Sequence, residues 1–227
     1  MTKKRNYNVS FIVVLLVLFF ALSGMSCDAH GNSVQENAGE ISADKIVLTE
    51  DTYNATIRLT GTDVQSGKIE AQMLNSERSI IGIDSYTPAD EIEMKFAYSD
   101  DLDTVAITWS KEDNMPLCDP LTLNFDRIYA ADWKALANAT HRMDLLYGGK
   151  VQVEDGSSEY ASGRLIVKTK EELPDISEFH VAMIVIDDEE HCFLQFEKSD
   201  DAKKCAEYLK TSPNIEYVDI DGVVTVS

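Results

Sequence analysis

The chain has 227 residues, of which 40 are Asp or Glu and 20 are Lys or Arg, so its formal net charge is −20 at pH 7. This excess of acid argues against nucleic acid as a partner, because a phosphate backbone is bound by clusters of Lys and Arg. An apolar fraction of 44% is enough for a packed core and excludes a wholly disordered chain. We expect one or two domains with a self-repelling acidic surface. An acidic face that meets a complementary partner is the alternative.

The N-terminus has the pattern of a secretory signal peptide. Lys3, Lys4 and Arg5 form a positive region, residues 9–22 are apolar except for one serine, and small residues follow. The apolar stretch is short for a membrane-spanning helix. We therefore predict that residues 1–26 are a cleavable signal peptide, with a retained membrane anchor as the alternative.

Two fates are open for the mature N-terminus. Cleavage after Ser26 leaves Cys27 as the first residue, as in bacterial lipoproteins, but Gly24 stands where their recognition sequence usually has an aliphatic residue. The protein is accordingly expected to be secreted or held at the cell surface by a lipid on Cys27. Residues 27–44 are small and polar, which predicts a flexible spacer.

Cysteine and histidine indicate no metal site and no cofactor. The spacing of Cys118, Cys192 and Cys205 matches neither a zinc knuckle nor a C-x-x-C redox site, and the four histidines are scattered. We expect Cys192 and Cys205 to be buried thiols, with a disulfide between them as the alternative.

Residues 45–155 show short strand signals, several of them alternating apolar with polar residues. Period two with turn residues every eight to twelve positions predicts an antiparallel β-sandwich. One segment, residues 130–138 (AADWKALAN), is a better helix than strand and predicts a short surface helix. The predicted strands are residues 45–48, 55–59, 68–74, 80–84, 91–97, 104–109, 121–127 and 150–154.

The stretch VAITWSKEDNMPLCDPLTLNFDRI has an apolar strand ending in Trp109, a polar turn and a second apolar strand. The order of elements in residues 45–155 resembles a cohesin-like or immunoglobulin-like extracellular sandwich. Such a resemblance implies a binding module. We expect Trp109 to lie in the core, whereas Trp109 and Trp133 as ligand platforms are the alternative.

A small polar linker, residues 155–159, precedes a change of pattern. From residue 160 to 227 we predict a split βαβ arrangement, with helices over one face of a four-stranded antiparallel sheet and the other face open. Pro174 is expected to end the first helix, and Ser199 or Asp200 to cap the second. The predicted elements are strands at residues 164–168, 179–186, 191–196 and 215–219 and helices at residues 170–173 and 201–210.

The amino-acid sequence of residues 160–227 shows a second resemblance. SGRLIVK, then HCFLQFEKSDDAKKCAEYLK, then SPNIEYVDIDGVVTVS occur in the order and spacing of the inhibitory propeptide of subtilisin-like serine proteases. Residues 160–227 resemble that propeptide over nearly their whole length. The resemblance implies a ferredoxin-like α+β fold. The first helix, shortened by Pro174, is where this chain departs from the family.

The resemblance also implies how the domain binds. In that family the open face of the sheet packs on two surface helices of the protease, and acidic residues cap the N-termini of those helices. The tail lies along the active-site cleft as an added strand, and the cleavage point falls after the last residue. An ordinary solvated turn is the alternative for residues 187–190. The residues implied to contact the protease are Tyr217, Asp219, Asp221, Val224, Thr225, Val226, Ser227 and the acidic turn at residues 187–190.

No subtilisin catalytic domain is present, since neither an H-G-T-H nor a G-T-S-M stretch occurs. We therefore expect no enzyme activity, and a protein that inhibits or chaperones a subtilisin-like serine protease in trans. Membrane contact is expected only through the signal peptide or a lipid anchor. Two alternatives stay open, an extracellular adhesion or scaffold module and the truncated N-terminal part of a protease precursor.

Overall fold

The computed structural model describes residues 39–62, 64–154, 158–187 and 190–221, which all fall in one compact unit. The protein is mostly β, with two sheets and two α-helices in these ranges. The helices are α1 (Trp133–Tyr147) and α2 (Ser199–Thr211). The strands are β1 (Gly39–Ala43), β2 (Ile46–Thr49), β3 (Thr52–Gly61), β4 (Lys68–Leu74), β5 (Ile80–Tyr86), β6 (Glu91–Ala97), β7 (Thr104–Ser110), β8 (Leu121–Asn124), β9 (Arg127–Ala130), β10 (Arg164–Thr169), β11 (Val181–Ile186), β12 (His191–Phe196) and β13 (Ile215–Ile220).

The larger sheet has nine strands and runs through both halves of the chain. The long strand β3 pairs with β6 on one side and with β1 and β2, placed one after the other, on its other side. From β2 the order continues β9-β11-β12-β10-β13. The β2–β9 and β9–β11 pairs are parallel and the others antiparallel. Residues 158–221 are thus joined to the earlier part of the chain by a strand pair, β9 with β11.

The smaller sheet has the order β5-β4-β7-β8 and is antiparallel throughout. Its inner face shares a hydrophobic core with β3 and β6, whose side chains are buried at alternate positions. Alternate burial is what the period-two pattern of these strands requires. The largest buried side chains of this core include Trp109, Tyr53, Phe96 and Met94.

Trp109 lies in the core, as its position in an apolar strand predicts. Its side chain is buried, and its indole Nε1 donates a hydrogen bond of 3.0 Å to the carbonyl of Ser66. The ring lies so close to Gly39 that any Cβ there would collide with it. Trp133, in contrast, is 80% exposed at the start of α1.

The two helices lie on opposite faces of the nine-stranded sheet. In β11, Val185 belongs to the core that contains α1, while the next residue, Ile186, packs against the core that contains α2. Successive side chains of a strand point to opposite faces, so the helices flank the sheet. The α1 core uses Ala135, Ala139 and Met143 from the helix; the α2 core uses Ala202, Cys205, Ala206 and Leu209.

Helix α1 is longer than the short surface helix predicted at residues 130–138. It begins after Asp132, whose carboxylate accepts hydrogen bonds from the backbone N–H groups of Lys134 and Ala135, and it continues to Tyr147. Asp132 is a favourable N-cap because those N–H groups have no partner within the helix. The added turns bury Arg142, which a hydrophobicity pattern does not assign to a core.

Three predictions for the earlier part of the chain are wrong. Of the spacer predicted at residues 27–44, residues 27–38 lie outside the described residues, whereas residues 39–43 form β1, which pairs with β3 and buries Ile41 in the core. The strand predicted at residues 121–127 is two strands, because the chain turns at residues 125 and 126 from one sheet to the other. Residues 150–154 form only an isolated bridge, between Gln152 and Lys198.

The later elements match the predictions more closely, with two corrections. No helix forms at residues 170–173, where only one residue, Leu173, is apolar and packs against a core. Helix α2 begins at Ser199, so neither Ser199 nor Asp200 is its cap, and the capping position, Lys198, makes no side-chain hydrogen bond. The Ser199 hydroxyl instead accepts a hydrogen bond from the backbone N–H of Glu154.

Candidate functional site

The side of β10, β12 and β13 that faces away from α2 is called here the open face. Pairing places Lys168 opposite both His191 and Tyr217 on this side, and Ile166 opposite both Phe193 and Asp219. The opposite side carries the residues buried under α2. The open face is lined by Arg164, Ile166, Lys168, His191, Phe193, Tyr217 and Asp219.

Ile166 is the apolar centre of the open face. It is half-buried and belongs to neither hydrophobic core. On one side Phe193 is half-buried against the core that contains α1, and on the other side Asp219 is exposed. A partly exposed apolar side chain at a sheet surface, with a polar residue beside it, is the kind of residue that anchors a protein partner.

Lys168 supplies positive charge next to this centre. Its Nζ lies 3.0 Å from a carboxylate oxygen of Glu216 and 3.6 Å from one of Glu190. The hydrogen bond to Glu216, followed by the attraction of both carboxylates, raises the pKa of Lys168. Glu190 is the last residue of the acidic turn predicted to contact a protease, so this turn is tied to the sheet at one end.

Three of the residues predicted to contact a protease, Tyr217, Asp219 and Asp221, have different surroundings in the structure. Tyr217 is 41% exposed, with its ring centroid 6.5 Å from that of His191. Asp219 is exposed and forms no ion pair with any residue in the described ranges. Asp221 is held by Arg164, whose Nη1 donates a hydrogen bond of 3.1 Å to the Asp221 carboxylate. Only Tyr217 and Asp219 are therefore presented to a partner without a competing ion pair.

Arg164 was not predicted as part of the site. Its side chain is only 11% exposed, and besides Asp221 it donates to Asp144 of α1 at 2.8 Å and to Gln195 Oε1 at 3.2 Å. Gln195 is buried and its Nε2 donates to backbone carbonyls, one of them that of Gly163. The signal in the sequence was a lone Gln in the apolar strand HCFLQF, since a buried amide needs hydrogen-bond partners.

Helix α1 limits the open face on one side. It packs against β2, β9 and β11 on the same side of the sheet, and Met183 and Val185 of β11 are buried under it. The exposed part of this side is therefore confined to β12, β10 and β13, and the ion pair of Arg164 with Asp144 marks its border.

The remaining predicted site residues lie outside the described residues. These are the tail Val224, Thr225, Val226 and Ser227, two residues of the acidic turn, Asp188 and Glu189, and Cys27 with the signal peptide.

The described residues hold no group of three or more His, Cys, Asp and Glu side chains placed to bind a metal ion. Among the same residues, no helix is both long and apolar enough to cross a membrane. Cys118, Cys192 and Cys205 are buried free thiols. No protein-family model matches the chain, and neither a curated protein nor a solved structure is significantly similar to it.

Proposed function

We propose that the protein is an exported, non-catalytic inhibitor or folding chaperone of a subtilisin-like serine protease, acting in trans through residues 160–227. The observation that supports it most is the strand order β11-β12-β10-β13. All pairs in this order are antiparallel, with α2 packed on one face and a partly exposed apolar residue, Ile166, on the other. This is the strand order of a ferredoxin-like fold, in which the outer strands are the second and fourth of the chain.

The position of β13 supports the proposed binding mode. Among the described residues β13 pairs only with β10, so its outer edge is free, and the chain continues from Asp221 into the tail. In the proposed complex, the tail adds to an edge strand of the protease through main-chain hydrogen bonds. The pockets of the protease then select the side chains of Val224 and Val226.

Two features distinguish the proposed interface from a fully open propeptide sheet. Helix α1 covers β11, so the protease contacts β12, β10 and β13 only. The ion pair between Arg164 and Asp221 fixes the start of the tail, so Asp219 is the carboxylate free to cap a helix N-terminus of the protease. Because Asp221 is already held in place, that residue loses less conformational entropy on binding.

The test is inhibition of purified subtilisin-like proteases by the full-length chain, measured with a chromogenic peptide substrate. We expect competitive inhibition at micromolar concentration or below. Deleting residues 224–227 should abolish it, whereas Glu207→Lys on α2, behind the sheet, should leave it unchanged. If the intact protein leaves a panel of such proteases fully active, the inhibitor function is wrong.

Export is part of the same proposal. A positive N-terminal region followed by an apolar stretch supports a signal peptide, and Cys27 supports a lipid anchor at the cell surface. Expression in a bacterial host, followed by fractionation, separates the two fates. A lipid-anchored chain is found with membranes and Cys27→Ser moves it to the soluble extracytoplasmic fraction. A secreted chain is soluble with either residue.

An extracellular adhesion or scaffold module is the second candidate. It is favoured by one observation, the exposed isoleucines of β5 in the smaller sheet. A fragment ending at residue 155 is a poor probe of it, because removing β11 uncovers β9 in the middle of the larger sheet. Binding assays of the full chain, with variants on β5 and on the open face, distinguish the two functions.

A further inference from the structure

A cavity of about 270 Å³ opens where two turns of the smaller sheet meet α1. One turn joins β4 to β5 and the other joins β6 to β7. Both lie at the same end of the sheet, because Leu74 at the end of β4 pairs with Thr104 at the start of β7. Pockets for drug-sized ligands measure roughly 300–1,000 Å³, so this cavity suits a smaller molecule. Its charged lining consists of Glu77, Asp100, Asp101, Asp103 and Arg142.

Arg142 of α1 is the buried member of this lining. Its side chain is 3% exposed, and its Nε and Nη1 have no hydrogen-bond partner among the described residues. The carbon of its guanidinium lies 5.7 Å from the ring centroid of Phe125. A guanidinium against an aromatic ring keeps its N–H donors available to a planar acceptor such as a carboxylate. Since a buried charge without a partner is costly, an anionic group that reaches Arg142 would be bound favourably.

The four carboxylates of the lining form the rim of the cavity. Glu77, Asp100 and Asp101 are exposed and Asp103 is half-buried, whereas Arg142 lies deeper. A simple anion such as phosphate is repelled by this rim before it reaches the arginine. A ligand that carries a cationic group close to its carboxylate is instead attracted by both parts of the site.

Hydrogen bonds hold the two turns in place without a ligand. The Asn75 side-chain oxygen accepts hydrogen bonds of 2.8 and 3.1 Å from two backbone N–H groups of its own turn. The Tyr98 hydroxyl lies 3.1 Å from the Asp100 carboxylate and 3.0 Å from the carbonyl oxygen of Asn138, which ties the second turn to α1. A preformed site loses less conformational entropy when a ligand binds.

We propose that this cavity binds a small zwitterion, a free α-amino acid. The carboxylate of the ligand accepts hydrogen bonds from Arg142, and its ammonium group lies among the carboxylates of the rim. Each charge of the ligand then meets an opposite charge of the protein, and charge-assisted hydrogen bonds are the strong ones. The buried guanidinium gains the partner that the described part of the chain does not supply.

Isothermal titration calorimetry of the full chain with the proteinogenic amino acids, one at a time, tests the proposal. We expect several amino acids to bind, because all share the two charged groups. Acetate and methylammonium each carry only one of these groups and should bind at least about tenfold more weakly. If no amino acid binds at millimolar concentration, the proposal is wrong. It is also wrong if acetate or inorganic phosphate binds as tightly as the amino acids, since the site then recognises an anion alone.

Arg142→Met tests the carboxylate partner, because methionine keeps an unbranched side chain in the core without the charge. We expect amino-acid binding to weaken at least about tenfold. The ligand-free variant should unfold at the same or a higher temperature than the unmodified chain, since no unpaired charge remains buried. A folded Arg142→Met chain that binds amino acids as tightly as the unmodified chain overturns the proposal.

The rim is tested by a substitution that leaves Arg142 in place. Asp103→Asn removes one carboxylate from the cavity and should weaken amino-acid binding about threefold. Asp84→Asn is the matched control, because Asp84 is an exposed acid of β5 outside the cavity lining, and it should leave the dissociation constant unchanged. Equal dissociation constants for the two variants contradict the proposed place of the ammonium group and overturn the zwitterion site.

Discussion

The guanidinium of Arg164 and the carboxylate of Asp221 lie 3.1 Å apart, at the two ends of the C-terminal segment. The same guanidinium is 2.8 Å from Asp144 at the last turn of α1. One nearly buried arginine thus connects the helix on one side of the sheet with the start of the tail. It links the part of the chain before residue 155 to the part proposed to bind a protease.

Replacing Arg164 with Met should therefore destabilise the protein. The change removes hydrogen bonds to two carboxylates and to Gln195, and we expect a loss of about 1–3 kcal/mol in the free energy of unfolding, measured by urea denaturation. Arg58→Met is the matched control, because Arg58 also lies 2.8 Å from a carboxylate, that of Asp44, but both side chains are about half exposed. Its effect should be clearly smaller. If the two substitutions lower the free energy of unfolding equally, the burial of Arg164 does not strengthen its hydrogen bonds and ion pairs.

Gly163 should not tolerate a side chain. Its φ of +59° is in the left-handed region, and a Cβ there would lie 2.6 Å from the carbonyl oxygen of Phe196. Gly149 has a φ of +74° with no atom within 4 Å of the corresponding Cβ. We expect Gly163→Ala to cost more than Gly149→Ala, for which only backbone strain of about 1 kcal/mol applies. Thermal unfolding of both variants measures the difference in stability. Because both glycines have a positive φ and only Gly163 has close neighbours, this difference reports the steric collision alone.

The buried thiols should react slowly in the native state. Burial raises the pKa of both Cys192 and Cys205 to about 12, and it also raises that of Cys118. Because the thiolate is the reactive form, iodoacetamide at pH 8 should label these cysteines slowly in the folded protein and rapidly in urea, as followed by mass spectrometry. Cys118, the most exposed of the three at 8%, should react first. Rapid labelling of Cys192 in the native protein contradicts the packing of β12 under α2.

Tyr53 should make the fold sensitive to alkali. Its burial raises the pKa of Tyr53 to about 12, with a smaller opposing effect from Arg142, whereas the pKa of tyrosine in an unfolded chain is about 10. The neutral Tyr53 side chain makes its full contribution to the free energy of unfolding below pH 10, and this contribution is lost as the pH rises toward 12. Tyr53→Phe should reduce this loss, measured by urea denaturation between pH 9 and 12.

At neutral pH the same substitution should be harmless. The Tyr53 hydroxyl is buried and has no hydrogen-bond partner of good geometry among the described residues. Removing an unsatisfied hydroxyl while keeping the ring should leave the free energy of unfolding unchanged or raise it by up to about 1 kcal/mol. A clear loss of stability in Tyr53→Phe at pH 7 would reveal a hydrogen bond, for which Arg142 is the nearest candidate.

The sequence predicts elements well where one face of a strand is buried and the other exposed. The bounds of β4, β6 and β12 agree with the predictions, and β6 buries Ile92, Met94 and Phe96 at strict alternation. Prediction from the sequence fails where an element is stabilised by a neighbouring strand or helix. Strand β1 has a single large apolar residue, Ile41, and depends on its pairing with β3, while α1 continues past Asn138 because Arg142 and Met143 are buried.

The same distinction applies to the candidate site. Tyr217 and Asp219 are exposed on β13, as alternation in the strand IEYVDI predicts. The engagement of Asp221 was not predictable, because its partner Arg164 lies 57 residues earlier and is oriented by α1 from the other part of the chain. The covering of β11 by α1 depends on the parallel pair of β9 and β11, a long-range pairing that local patterns do not encode.

The proposed function predicts that the centre of the open face contributes most to binding. Ile166→Lys places a charge where an apolar side chain would be buried against the protease, so the inhibition constant should rise at least about tenfold. Ile81→Lys on β5 is the matched control, because it introduces the same charge at another half-exposed isoleucine. It should leave inhibition unchanged. Circular dichroism of both variants verifies the fold, since Ile166 belongs to neither core. If the two variants inhibit equally well, the protease does not contact the open face, and the tail alone accounts for any inhibition.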